Sequence, residues 1–172
     1  MARIFIISSL IACIFTSCSH TYYIVRHAEK AAPDATMSSD PPLTERGKER
    51  AEALKEMLKS KKIAYVFSTN TIRTRSTAQP AADYFHIKIE GYGPKPDSAF
   101  IALLKAKRKD VLVVGHSNTV DDIVNMLCNE KKIPADLDDS EYSHLFIVKY
   151  KGRKIFFSKK EIPVREMGVP RF

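Results

Sequence analysis

Three cysteines in 172 residues leave no material for a disulfide framework. Cys13 lies in an apolar leader, Cys18 closes it, and Cys128 stands alone in an apolar helical pattern, where it reads as a small core residue. No cysteine pair has metal-ligand spacing. The five histidines lack the Glu and His neighbours that mark a zinc site. Neither a metal nor a cofactor is therefore expected. No run of apolar residues is long enough for a transmembrane helix. No internal repeat and no linker divides the chain into two domains. Basic residues do outnumber acidic ones, 28 Lys+Arg against 20 Asp+Glu, a net charge of +8 that favours anionic partners. Those charges are spread, however, and no Arg/Lys stripe interleaves with aromatics, which argues against nucleic acid. The Lys-Lys pairs at 61–62, 131–132 and 159–160 read as helix ends and turns.

What is present begins with a leader. Arg3 precedes an apolar stretch, Ile4 to Phe15, of about a dozen residues, the size of a signal-peptide core. Phe15-Thr16-Ser17-Cys18 resembles the lipobox of bacterial lipoproteins. That resemblance implies a signal peptide over residues 1–17, lipid on Cys18, and an exported protein held on the membrane and facing the periplasm. An ordinary secretory signal cut nearby and an uncleaved anchor are the alternatives. Cleavage before Cys18 removes Arg3 and leaves 8 − 1 = +7. Residues 21–172 then form one domain.

Within that domain strands and helices alternate. Tyr22–Arg26 reads as a strand, Ala31–Pro42 as a loop rich in Pro, Ser and Asp, and Thr44 as the N-cap of a helix to Lys59. Gly47, Ala51, Leu54 and Leu58 share one face of it. Ala64–Ser68 is a second strand. A helix from Thr69 or Asn70 follows, with Ile72, Ala78, Ala81, Ala82 and Phe85 as apolar positions and Pro80 inside. Ile87–Ile89 is a short strand before a Gly/Pro-rich loop, Gly91–Pro96. Asp97 or Ser98 opens a helix with Phe100, Ile101 and Leu104. Val111–Val114 is a continuous apolar run, as in a central parallel strand covered on both faces. Helical spacing resumes at Val120, Ile123, Val124 and Leu127, and Leu145–Tyr150 with Lys154–Phe157 forms a hairpin. The expected fold is a three-layer α/β/α sandwich with a mainly parallel sheet and antiparallel strands at one edge.

Three strand-to-helix junctions carry unusual polar residues: Arg26-His27, the segment Ser68–Ala78, and His116-Ser117-Asn118. In a parallel sheet such junctions share one edge, where helix N-termini favour anions. Arginine binds two phosphate oxygens through its planar fork, an imidazole can attack phosphorus, and a second imidazole can stabilise the transferred charge. "GHSNT" lacks the second glycine of a hydrolase elbow.

In this light the sequence resembles the histidine phosphatase superfamily, which includes the cofactor-dependent phosphoglycerate mutases. The resemblance rests on Arg26-His27-Ala28-Glu29, on Leu43-Thr44-Glu45-Arg46-Gly47, on Ser68 with Arg73-Thr74-Arg75-Ser76-Thr77-Ala78, and on Val114-Gly115-His116. Ala28 replaces the family's usual glycine, as in its smaller bacterial members. The resemblance implies His27 as the nucleophile, Arg26 and Arg73 as phosphoryl ligands, and His116 as the residue completing the pocket. Arg75 is the rival to Arg73. Lys30, Ser117 and Asn118 would contact substrate at the rim. Asp97, with Glu90 second, would protonate the leaving group; its other role is a helix cap. The implied activity is a metal-independent phosphomonoester phosphatase acting on a phosphorylated small molecule or an envelope glycan phosphate. A phosphohistidine protein phosphatase and an anion-binding protein with little turnover are the alternatives.

Overall fold

A computed structural model describes residues 19–32 and 40–164. The signal-peptide and Cys18 expectations, and most of the loop expected before Pro42, lie outside those residues.

The chain begins with β1 (Ser19–Arg26), buried from His20 onward. Helix α1 (Glu45–Leu58) follows, with the Thr44 hydroxyl accepting the Gly47 N–H as its N-cap. Its four expected core positions are buried, and Arg50 is buried with them. Strand β2 (Ile63–Thr69) leads to α2 (Ile72–Phe85), capped by Thr71 and continuous through Pro80. This helix starts two or three residues after its expected origin at Asn70 or Thr69, because Thr69 is still paired in the sheet. Ile72, expected on the apolar face, is half exposed.

Strand β3 (Ile89–Tyr92) also departs from expectation, which placed it at Ile87–Ile89 with a loop from Gly91. His86 takes the left-handed conformation that ends α2, and Val66↔Ile89 through Thr69↔Tyr92 then pair in parallel with β2. The Gly91–Pro96 loop therefore starts only after Tyr92. Asp97 caps α3 (Ser98–Lys107), β4 (Asp110–Gly115) is the buried central strand, and α4 (Val120–Cys128) follows it. The hairpin of β5 (His144–Lys151) and β6 (Lys154–Glu161) closes the fold, with Gly152 in the turn at φ 59°.

The six strands lie in the order β3-β2-β4-β1-β5-β6. The first four are parallel, and β5 and β6 run antiparallel at one edge. This is the expected sandwich. One core, with Phe100, Leu104, Ile123, Val124 and Leu127, joins α3 and α4 to one face of the sheet. A second, with Leu54, Leu58, Ala78, Ala81 and Ala82, joins α1 and α2 to the other. Cys128 is buried in the first core as a free thiol. Among the described residues no helix is long and apolar enough to cross a membrane.

Gly47 lies where α1 touches the loop after β1. A Cβ there would sit 2.3 Å from the Glu29 carbonyl oxygen, a backbone atom. Gly47→Ala should therefore destabilise the protein by about 1–3 kcal/mol, although alanine is the better helix former. A urea midpoint at or above that of the wild type would contradict this contact.

Candidate active site

The site is built on the register of β1 with β4. Arg26 pairs with Gly115, and the His27 N–H donates to the Gly115 carbonyl at 2.9 Å. His27 and His116 thus leave neighbouring strand ends together, and their ring centroids stand 5.5 Å apart, edge to face. Arg26 and His27 are buried, with 2% and 3% of their surface exposed. Gly115 allows this packing. A Cβ on it would meet the Tyr92 hydroxyl at 2.7 Å and the Thr119 hydroxyl at 2.8 Å.

Each ring is fixed by a short bond. The His27 Nδ1–H donates to the Ala28 carbonyl at 2.8 Å, which leaves Nε2 as the lone-pair nitrogen of the neutral ring. The Ala28 N–H donates to the Thr77 hydroxyl at 2.9 Å, and that hydroxyl donates to the Arg73 carbonyl at 2.8 Å, tying the His27 loop to α2. His116 Nε2 stands 2.9 Å from the Thr69 hydroxyl, which donates to the Thr74 hydroxyl at 3.0 Å; Thr74 in turn donates to the Thr69 carbonyl at 2.9 Å. With those protons so placed, His116 Nε2 is the donor to Thr69. The His116 N–H donates to the Thr119 hydroxyl at 2.9 Å.

Both arginines are held by loops that sequence reading did not connect with them. Arg26 donates to the Asp138 carbonyl at 2.7 Å and to the Asp139 carboxylate at 3.1 Å, with its guanidinium 4.3 Å from the centre of the Tyr142 ring. Arg73 donates to Asp40 at 2.8 Å, and the other Asp40 oxygen accepts the Ile72 N–H at 2.7 Å. The Nε atoms of Arg26 and Arg73 are buried and have no acceptor among the described residues. The fourth residue of the first motif, Glu29, is bound by Arg50 at 2.5 and 2.8 Å and by Arg46 at 3.3 Å. Burial opposes ionisation of Glu29, yet the Arg50 bonds and the charges of Arg50 and Arg46 hold its carboxyl below the usual range.

Burial and the neighbouring charges set the proton affinity of both rings. Burial, with the charges of Arg26 and Arg73 and the neighbouring His116, lowers the His27 imidazole to about 3. Burial, with Arg73, Arg26 and Lys30 outweighing Asp40, lowers His116 to about 4. Both rings are neutral near pH 7. Arg73 is the guanidinium of its block whose charge reaches both rings, whereas Arg75 is exposed. Lys30 is exposed and reaches His116 by its charge. Ser117 is half-buried and its carbonyl accepts the Leu137 N–H; Asn118 is exposed. Asp97 lies elsewhere in role, its carboxylate accepting the Phe100 N–H at 2.7 Å as the cap of α3. Glu90 stands 3.9 Å from Lys107. Cys18 lies outside the described residues. No group of three or more His, Cys, Asp or Glu among the described residues could hold a metal ion.

Residues 22–91 match the model of the histidine phosphatase superfamily, branch 1. That stretch is less than half of the 172 residues, and it carries the first three of the four motif blocks. The fold carries the likeness further. The protein histidine phosphatase SixA, solved with tungstate, superposes with a TM-score of 0.66 at 22% identity, over 82% of this chain and 96% of its own. The phosphoglycerate mutase of Bacillus anthracis str. Sterne gives 0.56 at 17% identity, over 85% and 93%. The mycobacterial glucosyl-3-phosphoglycerate phosphatase Rv2419c gives 0.58 at 12% identity, over 86% and 100%. No curated protein matches the sequence. At these identities the likeness is one of fold.

The low proton affinity of the two rings has a consequence for stability. In the unfolded chain each histidine titrates near 6.5, and in the folded protein near 3 and 4. As pH falls below 6.5 the unfolded state takes up these protons first. The contribution of neutral His27 and His116 is thus complete above 6.5 and is lost as pH falls toward 4 and 3. The drop in melting temperature between pH 7 and pH 4.5 should be smaller in His27→Asn than in the wild type. Equal drops would refute the burial of a neutral ring.

Proposed function

We propose that the chain is a phosphomonoester phosphatase that works through a phosphohistidine on His27 and needs no metal, with Arg26, Arg73 and His116 as its phosphate pocket. The observation that carries this reading is the convergence of two guanidiniums on two neutral imidazoles at one sheet edge. The buried, unpaired Nε–H donors of both arginines point the same way, since buried donors are normally bonded. The structural neighbour SixA was solved with tungstate, a tetrahedral oxyanion.

In this scheme the ester phosphate displaces Asp139 and Asp40 from the arginine forks. Its negative charge then offsets the two guanidiniums and raises the proton affinity of His116, which can donate to a phosphoryl oxygen. His27 Nε2 attacks phosphorus, the P–N bond forms, and the P–O bond to the leaving group breaks. The Nδ1–H bond to Ala28 steadies the positive charge that the ring acquires. Water then attacks phosphorus, the P–N bond breaks, and inorganic phosphate leaves with neutral His27 restored.

The proton for the leaving group has no evident source in Asp97, which caps α3, or in Glu90, which stands near Lys107. This favours leaving groups that depart without much help. It supports the second reading, a phosphohistidine protein phosphatase, in which the leaving group is an imidazole. An exported lipoprotein anchored through Cys18 remains our proposal from the leader sequence, and a phosphorylated small molecule or envelope glycan phosphate its substrate in that setting.

Acid quenching during turnover of a labelled aryl phosphate should trap label on the wild-type protein and none on His27→Asn. That variant should lose at least about 10³-fold in kcat. Arg73→Lys should lose about 10²–10³-fold, because a bidentate donor is replaced by a point charge. Chelator should leave the wild-type rate unchanged. Turnover without trapped label, or full activity in His27→Asn, would remove the mechanism. Release from aryl phosphates and phosphohistidine should far exceed release from alkyl phosphates; equal rates would show that a general acid operates.

A further inference from the structure

At the sheet edge opposite the site, β1 enters between two groups of exposed cations. Ser19 pairs with Lys151 of β5, and Lys151, Arg153 and Lys154 are exposed around the β5–β6 turn. On the other flank β1 runs parallel to β4, whose first residue, Asp110, follows the exposed Arg108 and Lys109. Arg108 lies close enough to His20 to help lower its imidazole, after burial. Asp110, a carboxylate between the two groups, accepts the Thr21 N–H at 2.7 Å and is tied into the sheet. None of the five cations forms a salt bridge among the described residues.

Helix ends do not account for this cluster. Arg108 ends α3, where a cation suits the helix dipole. Lys151, Arg153 and Lys154 belong to a hairpin turn, and Lys109 to the connection into β4. Ser19, the first described residue, begins β1 at this same edge, and in the sequence it follows closely on the apolar stretch from Ile4 to Phe15.

We propose that this edge lies against an anionic phospholipid surface, with Arg108, Lys109, Lys151, Arg153 and Lys154 meeting headgroup phosphates around the entry of β1. The proposal rests on the reading of residues 1–18 as the membrane-directed part of the chain. A basic patch beside a membrane-directed segment adds about 1 kcal/mol of attraction per Lys or Arg to an anionic surface, and it fixes which edge of the domain faces the bilayer. The eight residues of β1, at about 3.3 Å each, set the site edge about 25 Å from the bilayer, open to soluble or surface-borne phosphates.

The test is hydrogen exchange on the full chain bound to phosphatidylcholine vesicles, with and without about 30% phosphatidylglycerol. Amides of 108–110 and 151–154 should slow on the anionic vesicles, those of 26–29 and 116–119 should not, and about 0.5 M salt should abolish the difference. The variant Lys109→Gln/Lys151→Gln/Arg153→Gln/Lys154→Gln should lose the protection, and its phosphatidylglycerol-dependent partitioning should fall about fivefold per cation removed. Loss of binding to neutral vesicles with protection retained on anionic ones would overturn the anchor and uphold the patch. Retained binding with equal exchange on both vesicles would overturn the patch and leave the anchor standing. Protection by a single-stranded RNA oligomer but not by anionic vesicles would also overturn it.

Discussion

The parallel pairing of β1 with β4 continues one residue beyond the strands, in the bond from the His27 N–H to the Gly115 carbonyl. Almost everything at the site depends on that register. It sets Arg26 opposite Gly115 and brings two imidazoles within 5.5 Å, although 89 residues separate them in the chain. A slip of one residue would turn Arg26 and His27 to the opposite faces of the sheet. The register is held by the apolar residues of the two central strands, which are buried on both faces. The hydrophobic effect therefore positions the charges, and the charges themselves add little to holding the sheet.

A second layer of polar contacts converts that placement into a defined site. Hydroxyl groups do most of this: Thr77 bridges the His27 loop to α2, Thr69 and Thr74 hold the far nitrogen of His116, and Thr119 caps its backbone. Threonine suits these positions because a buried hydroxyl both donates and accepts, and its branched side chain has few rotamers. Behind them, Glu29 with Arg50 and Arg46 locks the loop after His27 onto α1. Arg50 also donates to the Ile162 carbonyl at 3.0 Å, so this ion pair reaches the last described segment of the chain. The site is thus tied to α1, α2 and the end of β6 as well as to its own two strands.

The same sheet has two edges of opposite use. Strand C-termini and helix N-termini gather at one, where an anion is favoured. The opposite edge collects the starts of the parallel strands, the ends of the helices and the β5–β6 turn, and there the excess positive charge is exposed. The +8 of the sequence is diffuse along the chain, yet the fold concentrates five of those charges around the entry of β1.

Periodicity and capping chemistry were enough to read most of the fold from the sequence. The face of α1, the buried β4, the α4 stripe and the closing hairpin were legible because each is a local pattern. The ends of β3 and α2 were not, since pairing with β2 decided them. Arg26, His27 and His116 stood out because polar groups ending apolar strands are rare without a use; Arg73, in the first turn of α2, was singled out over Arg75 only by the family resemblance. Asp40, Asp139 and Tyr142 carried no such mark: they are ordinary loop residues, and only chain closure sets them against the arginines. Local order is written in neighbouring side chains, and the sequence alone determined it here. Contacts across 33 and 113 residues depend on how strands order and loops return, and the tertiary structure alone decided those.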